Sequence, residues 1–135
     1  MRWLARLLPS HAAKDVLYAL ESLGKSWLNE VPAFADILER ARRHAKTNPA
    51  AVRERMVVEG EPAMKIALNL MINLCAADLR SGQNHIYRGR LSGEGIQKQS
   101  LFKSMQKMMV ERGLATQEDV DVGAARLAEE IADAG

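Results

Sequence analysis

The chain has 135 residues, of which 47% are hydrophobic and 27% charged, with a net charge of +2. These are ordinary values for a globular protein with one core. The only cysteine, Cys75, excludes an intramolecular disulfide and fits a reducing cytoplasm. Charge is unevenly spread: residues 118–133 carry net −5, leaving +7 for the rest of the chain. An acidic tail can pack on a basic body, or a basic body can meet an anionic partner.

Residues 1–9 read as a short N-terminal cap segment. Trp3, Leu4, Leu7 and Leu8 share a helical face and Pro9 ends it. The apolar run there is too short and interrupted for a signal peptide. Ser10 is the expected N-cap of a helix over about 11–28, with Val16, Leu20, Leu23 and Trp27 as its stripe. Gly24 weakens that helix, marking an early end or a close approach of another backbone.

Asn29 and Pro32 start the next helix, whose inward face is Phe34, Ile37, Leu38, Ala41 and Ala45. Its last two turns hold Arg40, Arg42, Arg43, His44 and Lys46, cations that complement the helix dipole. Asn48-Pro49 repeats the cap-then-proline signal for a short helix over 49–58. There Val52, Met56 and Val57 point inward, Arg53 and Arg55 outward, and Gly60 ends the helix.

Glu61-Pro62 then opens the stretch around which the fold is expected to organise, a helix over about 62–80. On a wheel of 100° per residue, Lys65, Asn69, Asn73, Ala76 and Arg80 share a narrow polar strip. Apolar residues cover nearly all the rest, the pattern of a buried helix. Leu68, Met71, Leu74 and Cys75 are expected to be almost inaccessible. Asp78 falls inside the apolar arc and therefore needs a partner. Lys65, Asn69, Asn73 and Asp78 also make the stretch a poor membrane span.

Residues 82–95 are Gly-rich, with a brief extended segment at Ile86 and Tyr87. A helix over about 94–112 follows, with Leu101, Phe102, Met105, Met108 and Met109 inside and Gln99, Lys103, Gln106 and Lys107 outside. Gly113 is its stop. Thr116 and Asp119 resemble a capping box for an acidic last helix over 117–133, burying Val120, Ala124, Leu127, Ala128 and Ile131. The expected fold is all-α: one domain over 1–135, a compact bundle of about five main helices around a buried centre.

Three candidate sites follow. The 82–95 loop joins His85, Tyr87, Arg88, Arg90, Ser92, Gly93 and Gly95 to a helix start, where unbonded N–H groups and guanidiniums suit an anion or a partner. Asp78 is expected to anchor this loop through Arg88 or Arg90, or through Tyr87. Arg40, Arg43, Arg53 and Arg55 lie on two helices that resemble a helix-turn-helix in outline and are the candidate nucleic-acid contacts. His11, His44 and His85 lack metal-ligand spacing, and no catalytic constellation is visible, so no catalytic residue, metal or cofactor is assigned.

The reading that fits best is a cytoplasmic protein–protein interaction or regulatory module, bound to no membrane. It is expected to be a homodimer, because the central and Met-rich helices carry more apolar surface than a small monomer readily buries. A nucleic-acid-binding regulator is the first alternative, and a small enzyme with its site at the 82–95 loop the second.

Overall fold

Prolines and glycines punctuate the chain. The computed structural model describes residues 8–26, 32–81, 86–87, 90–91 and 93–134, and six helices lie among them. They are α1 (Pro9–Ser26), α2 (Pro32–Thr47), α3 (Pro49–Val57), α4 (Ala63–Ser81), α5 (Gly93–Glu111) and α6 (Gln117–Ala134). Between α4 and α5, two-residue strands β1 (Ile86–Tyr87) and β2 (Arg90–Leu91) pair antiparallel, with Ile86 opposite Leu91 and Tyr87 opposite Arg90. The class is all-α, as the periodicity predicts. No helix among the described residues is long and apolar enough to cross a membrane.

Pro9, Pro32 and Pro49 are each the first residue of a helix, where a missing N–H costs nothing and φ is already helical. Pro9 therefore displaces Ser10 from the expected cap: Leu8 accepts the first helical bonds, from His11 and Ala12. Asn48 does cap α3 by position, but its side chain turns back, and Nδ2 donates to the His44 carbonyl oxygen at 3.0 Å. Beside it, Thr47 Oγ1 donates to the Arg43 carbonyl oxygen at 2.9 Å, so two side chains satisfy the open end of α2.

Gly60 and Gly113 adopt φ of +67° and +69°, the left-handed conformation glycine takes without strain. At Gly113 the stop is a Schellman motif: Leu114 N–H bonds to the Met109 carbonyl and Gly113 N–H to the Val110 carbonyl. The capping box that follows is reciprocal. Asp119 N–H donates to Thr116 Oγ1 at 3.1 Å, and Thr116 N–H reaches Asp119 Oδ2 at 3.5 Å.

Contacts cluster into two compact units, Met1–Leu70 and Met71–Gly135, and the dividing line falls inside α4. In the first unit α1 packs on α2 and α3, and α2 also touches α3. Val16, Leu20, Leu23, Phe34, Ile37, Leu38 and Val52 are buried there. In the second unit α5 packs on α6 and on β2, with Met71, Cys75, Leu79, Leu101 and Met105 buried.

Helix α4 buries nine residues: Ile66, Ala67, Leu68, Leu70, Met71, Ile72, Cys75, Ala76 and Leu79. Leu68, Met71 and Cys75 are inaccessible, as the wheel predicts. Leu74 is not; it is only half-buried. The exposed strip in the last turns runs through Asn73, Ala77, Arg80 and Ser81, so Leu74 borders it while Ala76 turns inward.

Four further expectations need correction. Gln106, expected outside, is buried, because it sits beside Phe102 at the edge of the inner face of α5. Met56 and Val57 are only half-buried. Of the five residues expected to be buried in α6 only Leu127 is; Val120, Ala124 and Ile131 are half-buried and Ala128 is exposed. Gly24 does not end α1, which continues to Ser26.

Candidate functional site

The acid predicted to need a partner has one. Lys98 Nζ lies 2.7 Å from Asp78 Oδ2, with side chains 5% and 15% exposed. Lys98 precedes Leu101, Phe102 and Met105 by three, four and seven residues, so it projects from the apolar face of α5. Each charge thus lies on an apolar arc, and each meets the other. The pair ties the last turn of α4 to the first turns of α5, across the hairpin that joins them. Taking both charges out of water is costly, so such a pair specifies geometry more surely than it adds stability.

The 82–95 loop, with the predicted partners of Asp78, is described only in part. His85, Arg88 and Ser92 lie outside the described residues, and Tyr87 and Arg90 are described as members of the ladder alone. Gly93 is the exposed first residue of α5, and Gly95 is buried two residues later.

The four arginines on α2 and α3 differ in their engagement. Arg40 pairs with Asp36 at 3.3 Å one helical turn away. Arg55 is half-buried, and its Nε and Nη2 donate to Glu61 Oε2 at 3.0 and 2.8 Å. This contact links the end of α3 to the residue before Pro62, which explains why an arginine expected to point outward is held inward. Arg53 is half-buried as well, and Arg43 is exposed. Arg42, next to it, pairs with Glu39 at 3.6 Å. Much of the basic cluster is therefore engaged locally rather than presented to solvent.

A cleft that the sequence does not announce lies in the second unit, between α4, α5 and α6. Its volume is about 180 Å³. Helix α4 lines it with Ile72, Asn73, Ala76 and Arg80, residues spaced by three and four along one face. Helix α5 contributes Phe102 and Gln106; α6 contributes Gly123, Arg126, Leu127 and Glu130. The floor is apolar: Ile72, Ala76, Phe102 and Leu127. The rim is polar. Arg80 Nη1 reaches Glu130 Oε2 at 3.3 Å, an exposed pair worth under about 1 kcal/mol. Arg126 has no hydrogen-bond or ion-pair partner among the described residues.

Gln106 is the unusual member. It is only 7% exposed. Its Nε2 donates to the Val120 carbonyl oxygen at 3.4 Å, a long bond, and its Oε1 accepts none among the described residues. A buried amide oxygen without a donor is costly and uncommon. Opposite it, Gly123 leaves room: a Cβ added there would stand 3.4 Å from Gln106 Nε2. The signals for this cleft were Gly123 inside a helix and Gln106 beside Phe102, but neither shows from one helix that three helices meet around them.

No group of three or more His, Cys, Asp or Glu suited to a metal occurs among the described residues. No family model, no curated protein and no solved structure matches the chain.

Proposed function

We propose that this chain is a protein–protein interaction module, and that the cleft between α4, α5 and α6 receives an anchor side chain of its partner. The observation that supports this is the size of the cleft together with its lining. Sites for drug-sized ligands run to roughly 300–1,000 Å³. At about 180 Å³ this one is too small for such a ligand or a nucleotide cofactor, but suits one side chain. An apolar floor within a polar rim is the anatomy of an interface hot spot, where a single desolvated anchor carries much of the binding energy.

The other readings draw less support. Met105, Met108 and Met109, which motivate a homodimer, are already buried in the chain. A nucleic-acid interface on α2 and α3 would have to recruit arginines already paired, such as Arg40 and Arg55. The test is a random peptide library panned against the protein and against its Gly123→Leu variant, which fills the cleft. Enrichment of peptides sharing an apolar residue, lost in the variant, is the expected result. No enrichment against either protein would remove the reading.

A further inference from the structure

We infer that the cleft of the second unit recognises the C-terminal residue of a partner protein, through its apolar side chain, its amide N–H and its terminal carboxylate. This rests on the reading of the cleft as a docking site for protein, and it names what docks.

Three features each call for one chemical group. The floor of Ile72, Ala76, Phe102 and Leu127 calls for an aliphatic or aromatic side chain. Gln106 Oε1, buried and accepting no hydrogen bond among the described residues, calls for an N–H donor. Arg126, with no partner among the described residues, calls for an anion, and a guanidinium matches a carboxylate in shape as well as charge. The Arg80–Glu130 pair cancels itself, so the rim keeps one net positive charge. It is therefore complementary to a single carboxylate.

Volume then limits the answer. At roughly 30 Å³ per water, the cleft holds about six waters, the space of one residue rather than several. All three groups must come from a single residue. Within a chain, Asp and Glu offer a carboxylate and an N–H but no separate apolar side chain. Leu, Met or Phe offer the side chain and the N–H but no carboxylate. A chain-terminal Leu, Met or Phe offers all three. Such a terminus also frees its partner from presenting a groove-length surface, since a single residue makes every contact.

The test uses the full chain and peptides ending in randomised residues, presented once with a free carboxylate and once as the amide. Calorimetry on the selected sequences should show the acid binding at least tenfold tighter than the amide. Arg126→Gln should bring the acid down to the amide's affinity and leave the amide unchanged. Because Arg126 is exposed, this variant keeps the fold. Gln106→Leu, which retains bulk but not the acceptor, should weaken acid and amide alike. N-acetyl-leucine, assayed in parallel, separates a protein terminus from a small acylated amino acid. Binding of that compound as tight as the best peptide would reassign the site to small molecules and overturn the inference. Equal selection of acids and amides would overturn the terminal-carboxylate reading while the docking site stands. Failure of every peptide in both formats would remove the docking site as well.

Discussion

Helices α1 and α6 have the same length, 18 residues, and are held in opposite ways. Helix α1 buries seven residues: Ala12, Ala13, Val16, Ala19, Leu20, Leu23 and Gly24. It has no acid in its first turn, and no side chain caps its start among the bonds described. Helix α6 has a reciprocal capping box, with Glu118 and Asp119 at the positive end of its dipole, yet among its described side chains it buries only Leu127. The first is a helix because it is packed; the second because its start is locally encoded. Packing and local signals are separate sources of helicity. A helix that draws mainly on the second keeps its face available, and the cleft lies along that face.

The sharpest way to break this comparison is to make the same deletion in both helices. Leu20 is fully buried, so Leu20→Ala should remove transfer energy and leave a closed cavity, a loss of about 3–5 kcal/mol. Leu127 is nearly as buried but already borders an open cleft, so its cavity term is small. Leu127→Ala should cost about 2 kcal/mol. Denaturant unfolding of both variants measures the difference. Equal losses would mean that α6 is packed as tightly as α1, and the contrast would fall.

The Asp78–Lys98 pair tests how the second unit is held where α6 contributes little. Removing one partner of a buried pair typically costs about 3–5 kcal/mol. Both residues make further interactions, so Lys98→Ala should sit at the lower end, about 3 kcal/mol. Replacing both, with Asp78→Leu and Lys98→Leu together, should recover most of that loss, because no charge is then left buried. A double variant as unstable as the single one would show that the charges contribute more than they cost.

This pair also marks how far the sequence can be read. Proline starts, glycine stops and the Thr116–Asp119 box were legible because each acts within a few residues of itself. The need of Asp78 for a partner was legible too, from its place on an apolar arc. That Lys98 would be a partner was not, because the expectation drew on Arg88, Arg90 and Tyr87 within twelve residues, whereas Lys98 stands twenty residues on and faces inward from the next helix. Its position relative to Leu101, Phe102 and Met105 carried that signal on the same wheel. The cleft was beyond reach for a different reason. Residues from three helices line it, and nothing in any one periodicity states how deeply Ala76, Gln106 and Gly123 are set together. Burial in α6 was overestimated because its apolar spacing resembles that of α1; the pattern shows which face turns inward, but not how much covers it.

A smaller effect sharpens the same contrast from the local side. Thr116→Ala removes the acceptor for Asp119 N–H and one half of the box, a loss of about 1 kcal/mol. With so little burial to compensate, that loss should appear as lower protection from hydrogen exchange in the first turns of α6, while protection in α1 is unchanged. Uniform loss of protection over both helices would show that α6 opens only when the whole chain unfolds.

The smallest expected effect bears on whether anything covers the outer face of α6. Val122 is 54% exposed in the single chain. Serine has a helix propensity close to that of valine, so Val122→Ser changes surface chemistry with little effect on the backbone. Stability should move by no more than about 0.5 kcal/mol, with the slope of the denaturant transition unchanged. The measurement gains force when repeated across protein concentrations. If two copies of the chain met on this face, burial of Val122 would add to stability only where the dimer is populated, and the effect of the substitution would grow with concentration. A concentration-independent effect, with a constant monomer mass by light scattering, would retire the homodimer and leave the face of α6 to a different protein. A loss above about 1 kcal/mol at every concentration would mean that Val122 packs within its own chain, and that α6 is more firmly held than its single buried leucine implies.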